Sequence, residues 1–188
     1  MNWMQTYTGK KFYPADADPG DIDIKDISHA LAHICRFNGH VKTYYSVAQH
    51  CCIVSNNLGT NPRLRMAGLL HDAAEAYICD LPAPIKRENE LAGYRTLEKR
   101  LQSKINKAFD VEFEAVKYAD IITHADTRAL ATEKRDIIAH KELDWGIEKF
   151  SPFFDTIIPL EPKMAKIEFE NTFDEIITEI HLLNQSGL

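Results

Sequence analysis

The sequence lacks three features that would direct the chain to a specialised environment. Its four cysteines show no CxxC pairing, and no basic segment followed by an apolar run stands near its start, so we expect reduced thiols and a cytoplasmic location. No stretch approaches the roughly 18 apolar residues that a membrane span requires. Cations are also in deficit, because 22 Lys and Arg oppose 28 Asp and Glu. The formal net charge of −6 makes duplex nucleic acid a poor partner.

Signals for strands, repeats and low-complexity segments are scarce as well, and helical spacing dominates the chain. The 188 residues are 45% hydrophobic, which suits one domain with a single core over residues 1–188. Residues 1–23 predict an irregular N-terminal arm, and the apolar run 153–160 predicts an extended packing segment. We therefore expect an all-α bundle of six or seven helices. The clearest predicted helices span residues 26–36, 43–58, 62–78, 94–108, 114–139 and 162–183, the last being a C-terminal packing helix.

The most informative motif is His71-Asp72-Ala73-Ala74-Glu75, inside the predicted helix 62–78. Positions i and i+4 of a helix share a face, so His71 and Glu75 project together, while Asp72 projects about 100° around the same turn. An imidazole and a carboxylate from adjacent positions can thus reach one divalent ion. The loop that follows, residues 80–84, closes over this face, because its two prolines exclude a continuing helix.

Transition ions usually take four or more ligands, so other segments must complete a metal site. His50 lies on an apolar helix face, where an unpaired polar ring would be costly to bury. Asp126 lies on the inward side of its helix, and a buried carboxylate needs a cation. Asp120 falls about 240° away around that helix. Taken singly, each residue also fits a core hydrogen bond or a surface ion pair, but together they predict a metal site formed by His50, His71, Asp72 and Asp126.

The order His50, His71-Asp72, Asp126 resembles that of the HD-domain metal-dependent phosphohydrolases. Longer strings strengthen the similarity to a bacterial and phage group close to the HD 5'-deoxynucleotidases; they are residues 26–32, 35–40, 45–50, 125–126 and 130–136. The resemblance implies a nucleotide as small-molecule substrate and a divalent ion as cofactor. We expect Mn, Co, Zn, Fe or Ni, with Mg possible for a polyphosphate substrate. Residues 116–120 also resemble the segment that holds the fourth ligand in the deoxynucleotidases, which keeps Asp120 as the alternative to Asp126.

The resemblance further implies roles for residues around the metal. Arg36 would bind phosphate, and Phe37 would lie against the sugar. Glu75 would orient a water molecule or shuttle its proton, and Asp80 would protonate the leaving oxygen or hold the water. Lys86 would add a second cation for the phosphate. The competing interpretations are a surface ion pair for Arg36, a solvated lysine for Lys86, and a mere partner of a histidine ligand for Glu75.

Several functions stay open at this point. The sequence does not separate removal of the 5'-phosphate from a deoxynucleoside monophosphate from removal of triphosphate from a deoxynucleoside triphosphate. A nonenzymatic HD module that binds a nucleotide or a partner is the second hypothesis. Hydrolysis of a cyclic nucleotide or an alarmone is the third, although no Gly-Tyr-Pro signature follows the HD pair. The apolar faces of the helices predicted at 94–108 and 162–183 would allow a homodimer.

Overall fold

The computed structural model of the protein describes residues 2–186, and within them it is all-α apart from one short hairpin. The predicted fold class is therefore confirmed. The described residues form nine helices rather than six or seven, because two predicted helices are each divided and one short helix was not predicted. The helices are α1 (Ile24–His33), α2 (Val47–Asn56), α3 (Pro62–Leu69), α4 (Glu75–Ile78), α5 (Ala83–Lys86), α6 (Ala92–Ala108), α7 (Glu112–Lys117), α8 (Ala119–Asp136) and α9 (Pro162–Ser186). Of the predicted domain 1–188, Met1 and residues 187–188 lie outside the described residues.

The N-terminal arm is more ordered than the sequence suggested. Strands β1 (Met4–Gln5) and β2 (Lys11–Phe12) pair antiparallel, and the turn between them contains Gly9 at a φ of 85°. Phe12 is buried, and its ring stacks on Tyr77 with a centroid distance of 4.1 Å. The prediction of an irregular arm over residues 1–23 is thus wrong where this hairpin forms. The hairpin is ordered because Phe12 packs against the core.

Side-chain caps determine where three of the helices begin. Asp23 accepts a hydrogen bond from the backbone of Lys25 at the start of α1, and Asn61 caps α3 with Pro62 in its first turn. Ser46 accepts from the backbone of Gln49, so α2 begins at Val47. The helix predicted from residue 43 is wrong at its start, because a capping residue is not itself helical.

Helix α9 packs across α1, α2 and α3 and supplies much of the core, including the buried Phe169 and Ile176. Helices α2 and α3 approach each other closely at Gly68, where an added Cβ would lie 3.5 Å from Cα of Ser55 in α2 and would clash with the side chain of Leu58 just after that helix. Helix α8 packs on the same α2. This arrangement places α2 between α3 and α8, so residues from three helices can meet along it.

The apolar faces of the two long helices are used inside the chain. Leu101 and Ile105 of α6 are buried, as are Phe169 and Ile176 of α9. A homodimer remains a prediction, but these faces no longer argue for it, because the core already covers them. Among the helices of residues 2–186, none has the length and apolar character that crossing a bilayer requires.

The segment 153–160 is extended and packs on the core without joining a sheet. Its Phe153 and Ile157 are buried. The side chain of Gln49 bonds the carbonyl of Ile158 and the amide of Leu160, at 2.9 and 3.0 Å. Backbone groups of this segment thus find side-chain partners in α2, which explains how it stays ordered without strand pairing.

Candidate metal centre

The helix predicted over residues 62–78 is interrupted at residues 70–74, and the interruption carries the HD pair. Helix α3 ends at Leu69, and tight turns lead to α4 at Glu75. Nδ1 of His71 lies 2.7 Å from the carbonyl oxygen of Gly68. In a continuing helix that oxygen would accept from the amide of Asp72. The histidine ring therefore takes over a helical acceptor, and the expectation that His71 and Glu75 share one helical face is wrong.

A glutamine on α6 supports the interrupted backbone. Nε2 of Gln102 donates to the carbonyl of Leu70 at 2.7 Å, and its Oε1 accepts from the amide of Ala74 at 3.1 Å. Both backbone groups lie at buried residues, where an unpaired donor or acceptor would be costly. The turn that presents His71 and Asp72 is thus stabilised from another helix.

Three predicted ligands converge at this turn. Nε2 of His50, from α2, lies 3.4 Å from Nε2 of His71. Oδ2 of Asp72 lies 3.2 Å from Nε2 of His71 and 3.8 Å from Nε2 of His50. All three ligand atoms lie within 4.8 Å of one another, so His50, His71 and Asp72 form a cluster that can hold a metal ion.

The ring nitrogens that face away from the cluster are both bonded to acceptors. Nδ1 of His50 lies 2.7 Å from Oε1 of Glu133, and Nδ1 of His71 lies 2.7 Å from the carbonyl oxygen of Gly68. Each Nδ1 therefore carries a proton, and each Nε2 is the ring nitrogen left to bind an ion at the shared centre once it gives up its own proton, as in metal-binding histidines. Two nitrogens bound to a tetrahedral ion at about 2.0–2.1 Å would be about 3.4 Å apart, which matches the observed separation.

The fourth predicted ligand, Asp126, also faces this centre. Its Oδ1 lies 3.1 Å from Nε2 of His50 and 3.9 Å from Nε2 of His71. Asp120, one residue after the start of α8, is exposed. Burial would raise the pKa of Asp126, but the hydrogen bond and charge of His50, together with the charge of His71, outweigh burial and lower it. Of the two late aspartates, the structure brings only Asp126 to the histidines.

The cluster is strongly polarised. Burial opposes an ionised Asp72, yet His71 lowers the pKa of this carboxyl, and His50 and Arg36 lower it further. Burial likewise opposes a charged His71, yet Asp72 raises the pKa of His71 well above its usual value. A metal ion bound between His71 and Asp72 would thus have to displace a proton that these two side chains share.

Glu133 is the functional residue that the sequence reasoning missed. It is fully buried on α8, with Oε1 on His50 and Oε2 3.0 Å from Nη2 of Arg36. Burial would raise the pKa of Glu133, but Arg36 and then His50 reverse this and lower it. Its spacing could have signalled the role, because Glu133 lies seven residues after Asp126 and two helical turns return to the same face.

Arg36 is a buried cation rather than a surface one. Its side chain is only 12% exposed, and besides the pair with Glu133 its Nη1 lies 3.9 Å from Oδ2 of Asp72. Its Nε has no hydrogen bond within residues 2–186. The next residue, Phe37, adopts a φ of 56°, and the guanidinium carbon lies 5.3 Å from the centre of its ring. Arg36 therefore borders the cluster of His50, His71 and Asp72, and Phe37 lies beside its guanidinium.

Lys86 is neither solvated nor free. Its Nζ lies 2.7 Å from Oε1 of Glu75 and 2.7 Å from Oε1 of Glu98. Glu75 is buried, and its Oε2 makes no hydrogen bond within the described part of the chain. Burial, with the nearby Asp72 and Asp80, raises the pKa of Glu75 to about 9. Lys86 thus lies against Glu75, not against an open phosphate position.

Asp80 follows a strained peptide at the edge of the site. Cys79 has φ 75° and ψ 151°, a conformation that residues other than glycine rarely adopt. The carbonyl of Cys79 accepts from the Tyr94 hydroxyl at 2.6 Å, and the amide of Cys79 donates to the backbone carbonyl of Glu75 at 2.8 Å. Burial raises the pKa of Asp80; Arg36 opposes that rise and Asp72 adds to it. After Pro82, α5 begins with Pro84 in its first turn, so the predicted loop 80–84 is shorter than expected.

The chain is similar to two bacterial proteins over most of its length. It is 35% identical over 181 residues to the uncharacterized protein YfdR of Escherichia coli strain K12, covering 94% of this chain and 96% of that protein. It is 34% identical over 152 residues to the uncharacterized protein RCAP_rcc00048 of Rhodobacter capsulatus, covering 76% of each chain. No family model matches the sequence.

Proposed function

The chain belongs to the protein family of Escherichia coli YfdR, and for this member we propose the function of a metal-dependent phosphohydrolase of the HD superfamily that acts on deoxynucleotides. One observation carries the proposal. Nε2 atoms of His50 and His71 lie 3.4 Å apart, both with Nδ1 protonated toward an acceptor, and two carboxylates face them. A divalent cation between these atoms would bind both nitrogens in place of their protons and would balance the charge of the carboxylates.

His50, His71, Asp72 and Asp126 are the residues that would hold the metal. Two imidazoles and two carboxylates suit Mn, Co, Zn, Fe or Ni, and Mg would be recruited with a polyphosphate. A divalent ion in this position supplies Lewis acidity, which lowers the pKa of water and neutralises charge on a phosphoryl group. The donor set therefore fits the proposed chemistry.

Arg36 is the proposed phosphate-binding residue. Its guanidinium reaches the cluster at Asp72, and its buried Nε makes no hydrogen bond within the described residues. The planar fork of arginine matches phosphate oxygens in pairs. Phe37 would lie beside it against the sugar. We assign Lys86 a different role from the one first expected, namely holding Glu75 in place, because both of its contacts are to glutamates.

Glu75 and Asp80 would carry the proton transfers. The pKa of each carboxyl is raised, that of Glu75 to about 9. A carboxyl that keeps its proton near neutral pH can donate it to a leaving oxygen, and after donation it can accept one from water. Oε2 of Glu75, which is buried and makes no hydrogen bond within the described residues, is the atom that we assign to this exchange.

A phosphate-release panel tests the proposal. Deoxynucleoside and nucleoside mono-, di- and triphosphates are incubated with Mn, Co, Zn, Fe, Ni or Mg, and the release of orthophosphate or tripolyphosphate is measured. Orthophosphate from monophosphates indicates a nucleotidase, whereas tripolyphosphate indicates triphosphate removal. Asp72→Asn should be inactive, and the exposed Asp120→Asn should serve as the matched active control.

Nucleotide binding without turnover by any ion would instead favour the nonenzymatic module and reject the enzyme. Cleavage of cyclic nucleotides or alarmones alone would point to the third hypothesis. The complete ligand set together with Glu75 argues against a degenerate binder, because a module that only binds a nucleotide does not need every metal ligand.

A further inference from the structure

We propose that the cavity between α3, α6, α7 and α8 binds the nucleobase of the substrate, next to the proposed metal ligands His71 and Asp126. This inference rests on the proposed function, whose phosphate position it complements. The cavity has a volume of about 240 Å³ and is bordered by His71 and Asp126, two of the proposed metal ligands. A ligand in this cavity would therefore lie directly beside the metal cluster.

The walls of the cavity exclude a phosphate and suit a planar heterocycle. No lysine or arginine among residues 2–186 lines it, whereas Ala67, Ala115 and Ala119 contribute small apolar surfaces from three helices. Small side chains on facing helices leave a gap into which a flat ring can enter. The cations near the cluster, Arg36 and Lys86, do not line the cavity. The cations thus lie outside the cavity, which leaves it to the uncharged part of the substrate.

Two polar side chains can form hydrogen bonds with the edge of a base. Oδ1 of Asn106 accepts from Nε2 of Gln102 at 2.9 Å. This bond fixes the side-chain amide of Asn106, so its Nδ2 is directed away from Gln102. Within residues 2–186, neither that nitrogen nor the hydroxyl of Thr123 makes a hydrogen bond, and both side chains line the cavity. Free donors next to apolar walls are the usual pattern of a site that orients an uncharged polar ligand.

The size of the cavity limits which part of a nucleotide it can hold. At about 240 Å³ it is smaller than the roughly 300–1,000 Å³ of pockets that enclose a whole drug-sized ligand. A base fits, while the sugar and phosphate must extend past His71 and Asp126 toward the cluster. Ala119 and Thr123 are exposed, so the cavity is open to solvent along α8 and a base can enter there.

Deoxynucleosides without phosphate test the inference apart from hydrolysis. Each of the four is titrated into the protein by calorimetry and by NMR. Ala119→Leu should weaken binding about tenfold or more by filling the cavity, since even one methylene changes affinity by that order. Ala92→Leu is the matched control, because Ala92 is also the exposed first residue of a helix and lies outside the cavity. Equal melting temperatures of both variants establish that they fold alike.

A second pair of measurements separates base recognition from a structural effect. Asn106→Asp keeps the acceptor for Gln102 but replaces the free donors, so it should change the order of preference among the four deoxynucleosides. Ala119→Leu should also raise KM for deoxynucleotides while leaving turnover of deoxyribose 5-phosphate and metal content unchanged.

The outcomes distinguish this inference from the proposed function. Nucleoside binding that Ala119→Leu weakens supports the base site even when no phosphate is released, in which case only the hydrolase fails. Phosphate release without detectable nucleoside binding, or equal loss of deoxyribose 5-phosphate turnover in Ala119→Leu, overturns the base site and leaves the hydrolase standing. Binding that neither Ala119→Leu nor Asn106→Asp alters also overturns it.

Discussion

Replacing Glu133 by glutamine should weaken the fold and the metal site together. Glu133 is fully buried and accepts from both Arg36 and Nδ1 of His50. Glutamine keeps the size of the side chain but offers one oxygen and one NH2 group. Since both partners are donors, one of them must face the NH2 group, and Arg36 loses its main countercharge.

The size of the effect follows from this geometry. Removing one partner of a buried ion pair costs about 3–5 kcal/mol, because the other charge stays buried without compensation. In a chain of this length, each kcal/mol lowers the melting temperature by about 2–4 °C, so the free energy lost corresponds to about 6–20 °C. Losing the acceptor that orients a metal-binding histidine weakens metal binding by about 10–100-fold.

Urea unfolding followed by circular dichroism, in the presence of a chelator, measures the first effect. Titration of Zn or Mn against a competing chromophoric chelator measures the second. Glu179→Gln is the matched control, because Glu179 also pairs with an arginine, Arg65, at 2.9 Å, but is 36% exposed. That surface pair should contribute about 0–1 kcal/mol and should not affect the metal.

Two results would contradict the reasoning in different ways. If Glu133→Gln unfolds at the same urea concentration as Glu179→Gln and binds metal as the wild type does, the buried contacts of Glu133 do not stabilise the site. If stability falls and metal affinity does not, Glu133 supports Arg36 alone and does not orient His50.

Three further predictions have defined outcomes. Asp72→Ala should lose both bound metal and phosphate release, because the carboxylate next to both histidines is gone. Metal analysis of the desalted protein checks this prediction. Full metal content in Asp72→Ala would reject Asp72 as a metal ligand. Asp126→Asn should lower metal content while Asp120→Asn leaves it unchanged, and the opposite result would make Asp120 the fourth ligand. The hydrogen bonds from Arg135 lower the pKa of Asp136, so its contribution to stability is present above the unfolded pKa of about 3.9 and is lost as pH falls through the folded value. Asp136→Asn should therefore lose less stability than the wild type when urea midpoints are compared at about pH 5 and about pH 3, and equal losses would disprove the ion pair.

Local patterns were sufficient for the fold class and for much of the candidate site. Helical spacing placed His50 and Asp126 on inward faces, and the structure brings both to the same centre. The same spacing put Asp120 on another face, where it is exposed. These inferences succeeded because the side of a helix that a residue occupies depends on its neighbours three and four positions away.

The interruption of the helix at residues 70–74 had no local signal. No proline or glycine falls within the turn, and alanines are good helix formers. The turn exists because His71 takes the carbonyl of Gly68 and Gln102, more than 25 residues later, bonds the freed backbone. Side-chain hydrogen bonds from a distant helix outweighed the local propensity.

The partners of the charged residues likewise depended on packing. Spacing showed that Lys86 and Arg36 were near the motif, but their contacts with Glu98 and Glu133 join segments 12 and 97 residues apart. Periodicity reports which face a residue occupies, whereas the identity of the group opposite it depends on how helices dock. That is why the residue types of the candidate site were readable in the chain, while the hydrogen bonds that orient them required the folded protein.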